Sequence, residues 1–127
     1  MNIEGDILMY VENIGLKGLV ADLRVMEEIM NKNNLEIDGQ WDYERVTFDK
    51  KYIVKEGTYY LRVFGELVEG DIDGRKATVR LKQPVLGKHY YPHGVEYGEE
   101  ENFPASLVKD CELTLKKVYD ELKQYSL

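Results

Sequence analysis

An apolar stripe with the spacing of a helix runs along the C-terminal segment of the chain. Its members recur every three or four residues and therefore share one helix face: Leu107, Val108, Cys111, Leu115, Val118, Leu122 and Tyr125. Pro104 suits the first turn of such a helix, and lysines such as Lys117 and Lys123 suit its far end, where the helix dipole favours positive charge. A helix of about 20 residues is about 30 Å long. We therefore expect it to lie across a whole sheet.

Between residues 39 and 97 the apolar period changes to that of strands. The clearest alternation is in residues 58–68. One face of this strand carries Tyr59, Leu61, Val63 and Leu67, and the other carries Tyr60, Arg62, Phe64, Glu66 and Val68. Gly65 interrupts the first face and predicts a bend or bulge. A hairpin turn at 70–74 leads to a second alternating strand at 77–82. Strands joined by short turns predict an antiparallel sheet.

The N-terminal part predicts one strand followed by one short helix. Residues 6–12 form the strand, which the turn signal at 13–15 ends. The helix begins after Asp22, a typical N-cap, and stops at Asn33. The element order is then strand, helix, several strands, helix. It predicts an α+β fold in which two helices pack on a single antiparallel sheet, and residues 1–127 are expected to form one domain.

Charge and composition exclude several classes of partner. The net charge is -7, and the first 49 residues hold eleven acids against four bases, which disfavours binding to a phosphate backbone. No apolar run approaches the roughly 20 residues that cross a bilayer, and the N-terminus does not have the pattern of a secretory signal. The single cysteine excludes an internal disulfide. These features predict a cytoplasmic protein that binds neither nucleic acid nor membrane.

One stretch runs against this acidic background. Residues 75–88 contain five bases and no acid. A solvated strand face that discourages edge pairing explains such a run. The alternative is a binding site for a small ligand that carries phosphate.

Both histidines lie in a segment that is rich in tyrosine. His89, His93 and Glu96 have residue types that bind zinc. Pro92 and Gly94 disfavour a helix there, so the spacing alone does not align the three side chains. Three interpretations stay open, namely a metal site, hydrogen bonds that hold structure or ligand, and exposed histidines. We predict no metal and no cofactor.

A histidine is also a candidate general base, because imidazole titrates near neutral pH. Such a base needs a partner that reacts. Cys111 lies on the apolar stripe of the last helix, where a thiol behaves as a small apolar group. We therefore predict no catalytic residue and lean against an enzyme.

Aromatic residues are the remaining signal, since ten tyrosines are many for a chain of this length. Core packing, a subunit interface and the wall of a pocket all use such side chains. The residues in question are Trp41, Tyr43, Tyr59, Tyr60, Tyr90 and Tyr91.

Four segments form a recognisable pattern: residues 39–45 (GQWDYER), 59–63 (YYLRV), 68–71 (VEGD) and, above all, 87–98 (GKHYYPHGVEYG). Together they resemble the YugN-like family of small uncharacterised bacterial proteins. The resemblance covers nearly the whole chain. It implies a fold similar to the TATA-binding-protein-like class, with a curved antiparallel sheet and two helices on it. It implies no activity, cofactor or catalytic residue, and a fold by itself does not bring DNA binding.

The sequence favours a non-catalytic module that binds a small molecule in a pocket between sheet and helix. Polar groups that orient a ligand beside apolar walls are typical of such sites. The predicted site residues are Trp41, Tyr43, Arg62, His89, Tyr91, His93 and Glu96. The first alternative is a protein-interaction or self-associating protein, such as a homodimer, that uses an aromatic surface. The second is an enzyme with a histidine base or a His/His/Glu metal site.

Overall fold

A computed structural model describes residues 7–38, 43–74, 76–89 and 103–127. Strands and helices follow one another along these residues. In chain order they are β1 (Ile7–Tyr10), β2 (Val20–Asp22), α1 (Leu23–Lys32), β3 (Glu36–Ile37), β4 (Arg45–Val54), β5 (Gly57–Gly70), β6 (Ala77–Leu81), β7 (Val85–Lys88) and α2 (Ala105–Leu122). A short 3-10 turn (Lys123–Tyr125) follows α2.

In the part of the chain that the structure describes, the long strand β5 is the centre of a seven-stranded antiparallel sheet. On one side, residues 57–66 of β5 pair with β4, and β3 adds a short strand beyond β4. On the other side, residues 59–62 pair with β7 and residues 65–70 pair with β6. β1 lies outside β7, and β2 lies outside β6. This antiparallel sheet with two helices confirms the predicted α+β class.

The two outer lines of strands are interrupted at the same level of the sheet. β6 and β7 lie end to end along β5 and are separated by residues 82–84. Pro84 has no N–H group and cannot extend a ladder there. Outside them, β1 and β2 are separated by residues 11–19, and the N–H of Val11 donates to the carbonyl of Pro84 at 2.9 Å. The strand pairing at this edge of the sheet is therefore interrupted at this level.

Both helices pack on one face of the sheet and contact each other. Apolar side chains of the helices and of the central strands fill the space between the two layers. They include Met26, Met30, Leu115 and Leu122 from the helices and Phe48, Leu61, Val63 and Val79 from the strands. Burial stabilises the fold by about 1.5–3 kcal/mol for each large apolar side chain. The core therefore lies on the helix-covered face.

The cap that the sequence predicts for α1 is confirmed. The carboxylate of Asp22 accepts hydrogen bonds from the N–H groups of Arg24 and Val25, at 3.1 and 3.3 Å. Capping of this kind is worth about 1 kcal/mol. Asn33 is the C-cap residue, as predicted, and Asn34 follows with a left-handed φ of 65°.

The C-terminal helix is confirmed, but the predicted stripe is wrong at its end. Five members of the predicted stripe are buried, namely Leu107, Cys111, Leu115, Val118 and Leu122. Val108 is partly buried, and Thr114, which the sequence did not indicate, is also buried. Tyr125 is exposed because the α-helix ends at Leu122 and the following 3-10 turn rotates each residue further about the axis. Within the described residues, no helix combines the length and the apolar character that crossing a bilayer requires.

Gly65 has a different role from the predicted bulge. The register shift of β5 lies between Leu67 and Glu69. Gly65 instead lies in a regular part of the strand, where a Cβ atom would collide with the side chain of Val79. Its lack of a side chain allows the core to pack closely against β5. The predicted hairpin turn at 70–74 is confirmed by the hydrogen bond from the N–H of Gly74 to the carbonyl of Asp71.

Candidate functional site

The interruption of the outer strands forms a groove on the face of the sheet opposite the helices. Side chains alternate along a strand, and the register places Phe64 and Glu66 of β5 on this face beside Arg80 and Val85. The groove has a volume of about 460 Å³. We call it the edge groove, and its lining residues are Tyr10, Lys17, Gly18, Phe64, Glu66, Arg80, Leu81, Lys82, Gln83 and Val85.

Local hydrogen bonds hold the walls of the edge groove. The side-chain amide of Gln83 donates to the carbonyl of Val11 at 2.6 Å. The N–H of Gly18 donates to the carbonyl of Leu81 at 2.7 Å. Gly18 has a φ of +89°, which glycine adopts far more readily than other residues. The loop at 11–19 is therefore fixed to the end of β6, and the groove is part of the folded framework.

The floor and one wall of the edge groove are apolar. Val85 is buried and Phe64 is half-buried, so both contribute apolar surface at the base. Tyr10 projects at the mouth with 61% of its surface exposed. Aromatic faces of this kind stack against flat apolar groups. Two aromatic rings, those of Phe64 and Tyr10, thus contribute to the lining of the groove.

The rim of the edge groove carries an excess of positive charge. Lys17, Arg80 and Lys82 are cationic, and Glu66 is the acid among the lining residues that the structure describes. The carboxylate of Glu66 lies 3.5 Å from Arg80 and 3.3 Å from Lys82. Lys17 has no ion pair with another residue that the structure describes. Three positive groups against one negative group contrast with the net charge of -7 of the whole chain.

Arg62 lies behind the aromatic floor and is almost fully buried. Its guanidinium donates two hydrogen bonds to the carboxylate of Asp49, both at 2.7 Å, and Asp38 lies 3.7 Å away. The group also lies over the rings of Tyr60 and Phe64, at 5.1 and 5.8 Å from their centroids. Bidentate pairs of this kind fix both partners.

The pKa of Arg62 is raised by this arrangement. Burial alone lowers it, but the hydrogen bonds and negative charge of Asp49 outweigh burial. Arg62 therefore stays charged, and its charge is compensated by two carboxylates. Its contacts favour a role in holding Tyr60 and Phe64 in place.

A second polar cluster lies on the helix-covered face, where the end of β4 meets the start of α2. The hydroxyl of Tyr52 donates to Asp110 at 2.7 Å, and the ammonium of Lys50 lies 3.3 Å from both Asp110 and Thr114. A hollow of about 340 Å³ opens beside this cluster. It is lined by Tyr52, Val54, Glu56, Pro104, Ser106, Leu107 and Asp110.

The titration of this cluster favours structure over nucleophilic chemistry. Burial and the hydrogen bond to Asp110 raise the pKa of Tyr52, so its phenol stays neutral. The hydrogen bond from Tyr52 and the charge of Lys50 lower the pKa of Asp110. Burial raises the pKa of the Cys111 thiol to about 11, so the thiolate that attacks electrophiles is scarce at neutral pH.

The structure describes three of the predicted site residues and does not bring them together at one point. Arg62 is buried in β5, and Tyr43 lies before β4 with 63% of its surface exposed. His89 follows β7, and its N–H donates to the carbonyl of Thr58 at 2.9 Å. Positions 58 and 62 are four residues apart in β5, so His89 and Arg62 are about 13 Å apart along the strand.

The other four predicted site residues, Trp41, Tyr91, His93 and Glu96, lie outside the described residues. Their part in a site stays a prediction. Within the described ranges, no group of His, Cys, Asp and Glu side chains is arranged to hold a metal ion. Of the aromatic residues, Tyr59 belongs to the hydrophobic core, which confirms core packing for it. Tyr60 is also buried, but it lies on the other face of the sheet beside Arg62.

Residues 13–120 match the YugN-like family. The chain belongs to the YugN-like family. It is 48% identical over 109 residues to "Uncharacterized protein YlbA" of Bacillus subtilis (strain 168), a match that covers 86% of this chain and 91% of that protein. It is 30% identical over 74 residues to "Uncharacterized protein YugN" of the same organism, covering 58% of this chain and 55% of that protein. The predicted family resemblance is thereby confirmed.

The fold of this YugN-like protein is similar to a crystal structure from another organism. The uncharacterized conserved protein YugN from Geobacillus kaustophilus HTA426 superposes with a TM-score of 0.80 at 46% sequence identity. The match covers 91% of this chain and 96% of that chain.

In this YugN-like protein the edge groove was missed by reasoning from sequence, although a signal for it exists. The stretch of bases at 75–88 supplies Arg80 and Lys82, which the sequence reads mainly as a solvated strand face. Pro84 at the end of that alternation marks the point where the strand is interrupted. Tyr10 and Phe64 join the groove only through strand pairing, which single-strand periodicity does not reveal.

Proposed function

We propose that this YugN-like protein is a non-catalytic binding module and that the edge groove is its small-molecule site. The observation that supports this most is the combination of an apolar floor with a polar rim in a groove of about 460 Å³. Ligand sites in proteins typically have volumes of about 300–1,000 Å³ and join apolar walls to a few polar groups.

The proposed site lies on the opposite face from the pocket that the sequence predicts between sheet and helix. The choice follows from packing, because described side chains of α1, α2 and the central strands fill most of that interlayer space. The hollow beside Tyr52 and Asp110 lies at the end of the interlayer seam, and its polar groups bond to one another. The edge groove leaves its charged rim exposed to solvent.

The groups that line the edge groove favour binding over catalysis. Lys17, Arg80 and Lys82 hold and orient negative charge, and Phe64 and Tyr10 provide apolar contact. Cys111 lies in the core on the other face with a pKa of about 11. We further propose that the sheet is curved as in the TATA-binding-protein-like class, which is consistent with two helices on one face of an antiparallel sheet.

A matched pair of aromatic variants tests the location of the site. Tyr10 lines the edge groove and Tyr43 does not, yet their exposed fractions are nearly equal at 61% and 63%. With 2-naphthol as a neutral probe, we expect Tyr10→Ala to weaken binding roughly three- to tenfold, because one aromatic contact is lost. Tyr43→Ala should leave the affinity unchanged. Titration by fluorescence and by amide chemical shifts measures both.

The opposite result identifies the site that the sequence predicts. If Tyr43→Ala weakens binding of the probe and Tyr10→Ala does not, the binding residues lie near Tyr43 and the edge groove is not the site. If the wild-type protein does not bind the probe at all, the proposal of a small-molecule module in this groove is wrong.

A further inference from the structure

We propose that the ligand of the edge groove is an anion with a flat apolar body, such as an aromatic carboxylate or phosphate ester. This inference rests on the proposed function, since it names the ligand class of the same site. Neither the family nor its relatives assign such a ligand.

The rim of the edge groove carries cations from three different elements. Lys17 comes from the loop at 11–19, Arg80 from β6 and Lys82 from the break between β6 and β7. Three elements thus direct cations at one concave surface, and Glu66 offsets one of them. A cleft lined by one sign of charge raises the local concentration of ligands of the opposite sign.

The ion pairs of Glu66 are weak enough for a ligand anion to replace its carboxylate. Both pairs lie on partly exposed side chains, and the separations of 3.5 and 3.3 Å are longer than those of the buried Arg62–Asp49 pair at 2.7 Å. Exposed pairs of this kind contribute only about 0–1 kcal/mol. An incoming anionic group can therefore take the place of the Glu66 carboxylate on Arg80 and Lys82 at little cost.

The aromatic ring of Phe64 in the floor of the groove is held by its neighbours. Phe64 lies within reach of the groove on one side and under the Arg62 guanidinium on the other, at 5.8 Å. Arg62 is itself held by Asp49. The ring of Phe64 is therefore fixed as a flat surface, and Tyr10 lies at the mouth. A rigid flat surface favours a flat ligand because little side-chain entropy is lost on binding.

A set of probes with one ring system and different charges tests this ligand class. The probes are 2-naphthoate, 2-naphthyl phosphate, neutral 2-naphthamide and cationic 2-naphthylmethylamine, titrated at low ionic strength. We expect the wild-type protein to bind the two anions roughly tenfold more tightly than the amide. Added salt of 0.15 M should lower the affinity for the two anions and leave the affinity for the amide unchanged. The ranking of carboxylate against phosphate identifies the preferred head group.

Single-charge variants carry the same test into the groove. Lys82→Gln should lower the affinity for 2-naphthoate about two- to fivefold without changing the affinity for 2-naphthamide. Glu66→Gln should instead strengthen 2-naphthoate, because it leaves Arg80 and Lys82 without their competing carboxylate. Lys116→Gln, an exposed lysine on α2 and therefore on the other side of the sheet, serves as the control. Circular dichroism confirms that each variant is folded.

The outcomes separate this inference from the proposed function. Equal affinities for all four probes, or the highest affinity for the cation, overturn the anionic ligand and leave the binding site standing. A weakening of 2-naphthoate by Glu66→Gln also overturns the inference. No binding of any probe overturns the proposed function and this inference together.

Discussion

The two faces of the sheet use neighbouring residues of the same strand in opposite ways. Lys50 of β4 points to the helix-covered face and lies against Asp110 and Thr114 of α2, at the margin of an apolar core. Asp49, one residue earlier, points to the other face and holds the buried guanidinium of Arg62. The first face gains its stability from apolar burial, and the second relies at its centre on a charged pair and leaves a groove near its edge.

Among the residues that the structure describes, this contrast shows that the main apolar core lies on one side of the sheet. The helices cover one face with a continuous core. On the other face, the edge groove has a charged rim. Three substitutions test this division, and they follow in order of expected effect.

Removal of apolar volume from the helix-covered face should cost the most stability. Leu115 of α2 is 0% exposed, and Leu115→Ala should lower the free energy of unfolding by about 2–5 kcal/mol. Leu113 of the same helix is 52% exposed, and Leu113→Ala should cost less than about 0.5–1 kcal/mol. Urea unfolding followed by circular dichroism measures both. Similar costs for the two variants would show that α2 is not the main cover of the core.

Removal of the charged pair on the other face should cost less. Arg62→Met leaves Asp49 and Asp38 without their guanidinium, and we expect a loss of about 2–3 kcal/mol. Arg24→Met changes an exposed arginine at the start of α1 and should cost under about 0.5 kcal/mol.

The double variant Asp49→Leu/Arg62→Met sharpens the result. It leaves neither member of the Arg62–Asp49 pair behind, so its stability should lie above that of Arg62→Met. A double variant that is less stable than Arg62→Met would mean that packing, and not the stranded carboxylate, causes the loss.

The hydrogen bond between Tyr52 and Asp110 should have the smallest effect. Tyr52→Phe removes the hydroxyl donor and should cost about 1 kcal/mol at neutral pH. Tyr10→Phe removes an exposed hydroxyl and should cost almost nothing. Urea unfolding at pH 7 compares the two variants with the wild-type protein.

The cost of Tyr52→Phe should also depend on pH in one direction. The folded state lowers the pKa of Asp110 below its ordinary value of 3.8, chiefly through the bond from Tyr52. Its ionised form therefore stabilises the fold fully above the unfolded pKa, and this contribution is lost as the pH falls through the lower folded pKa. The difference between wild type and variant should shrink below about pH 4. A difference that grows on acidification would contradict the assignment.

The elements that depend on local signals were predictable from the sequence. Asp22 indicates the start of α1, because its carboxylate is a typical N-cap. The spacing of apolar residues by three and four predicts α2. The alternation around Leu61 gave the two faces of β5 correctly, because each face follows from the pleat alone. These features require no knowledge of what pairs with what.

The features that depend on strand pairing were not predictable in the same way. Val20, Ala21 and Asp22 form β2 because they pair with β6, although three residues are too few to show a period. The edge groove likewise arises from two breaks in different strands that fall side by side. The burial of Arg62 was also missed, since only the register reveals Asp49 as its partner. The site at Trp41, Tyr91, His93 and Glu96 stays a prediction.

The buried position of Cys111 has a practical consequence for measuring how this protein opens. It is the only cysteine of the chain and is 0% exposed, at the seam between α2 and the sheet. A thiol reagent reaches it only when that seam separates. The rate of alkylation of Cys111 in native buffer therefore reports the opening of this seam, without an engineered cysteine and without a denaturant.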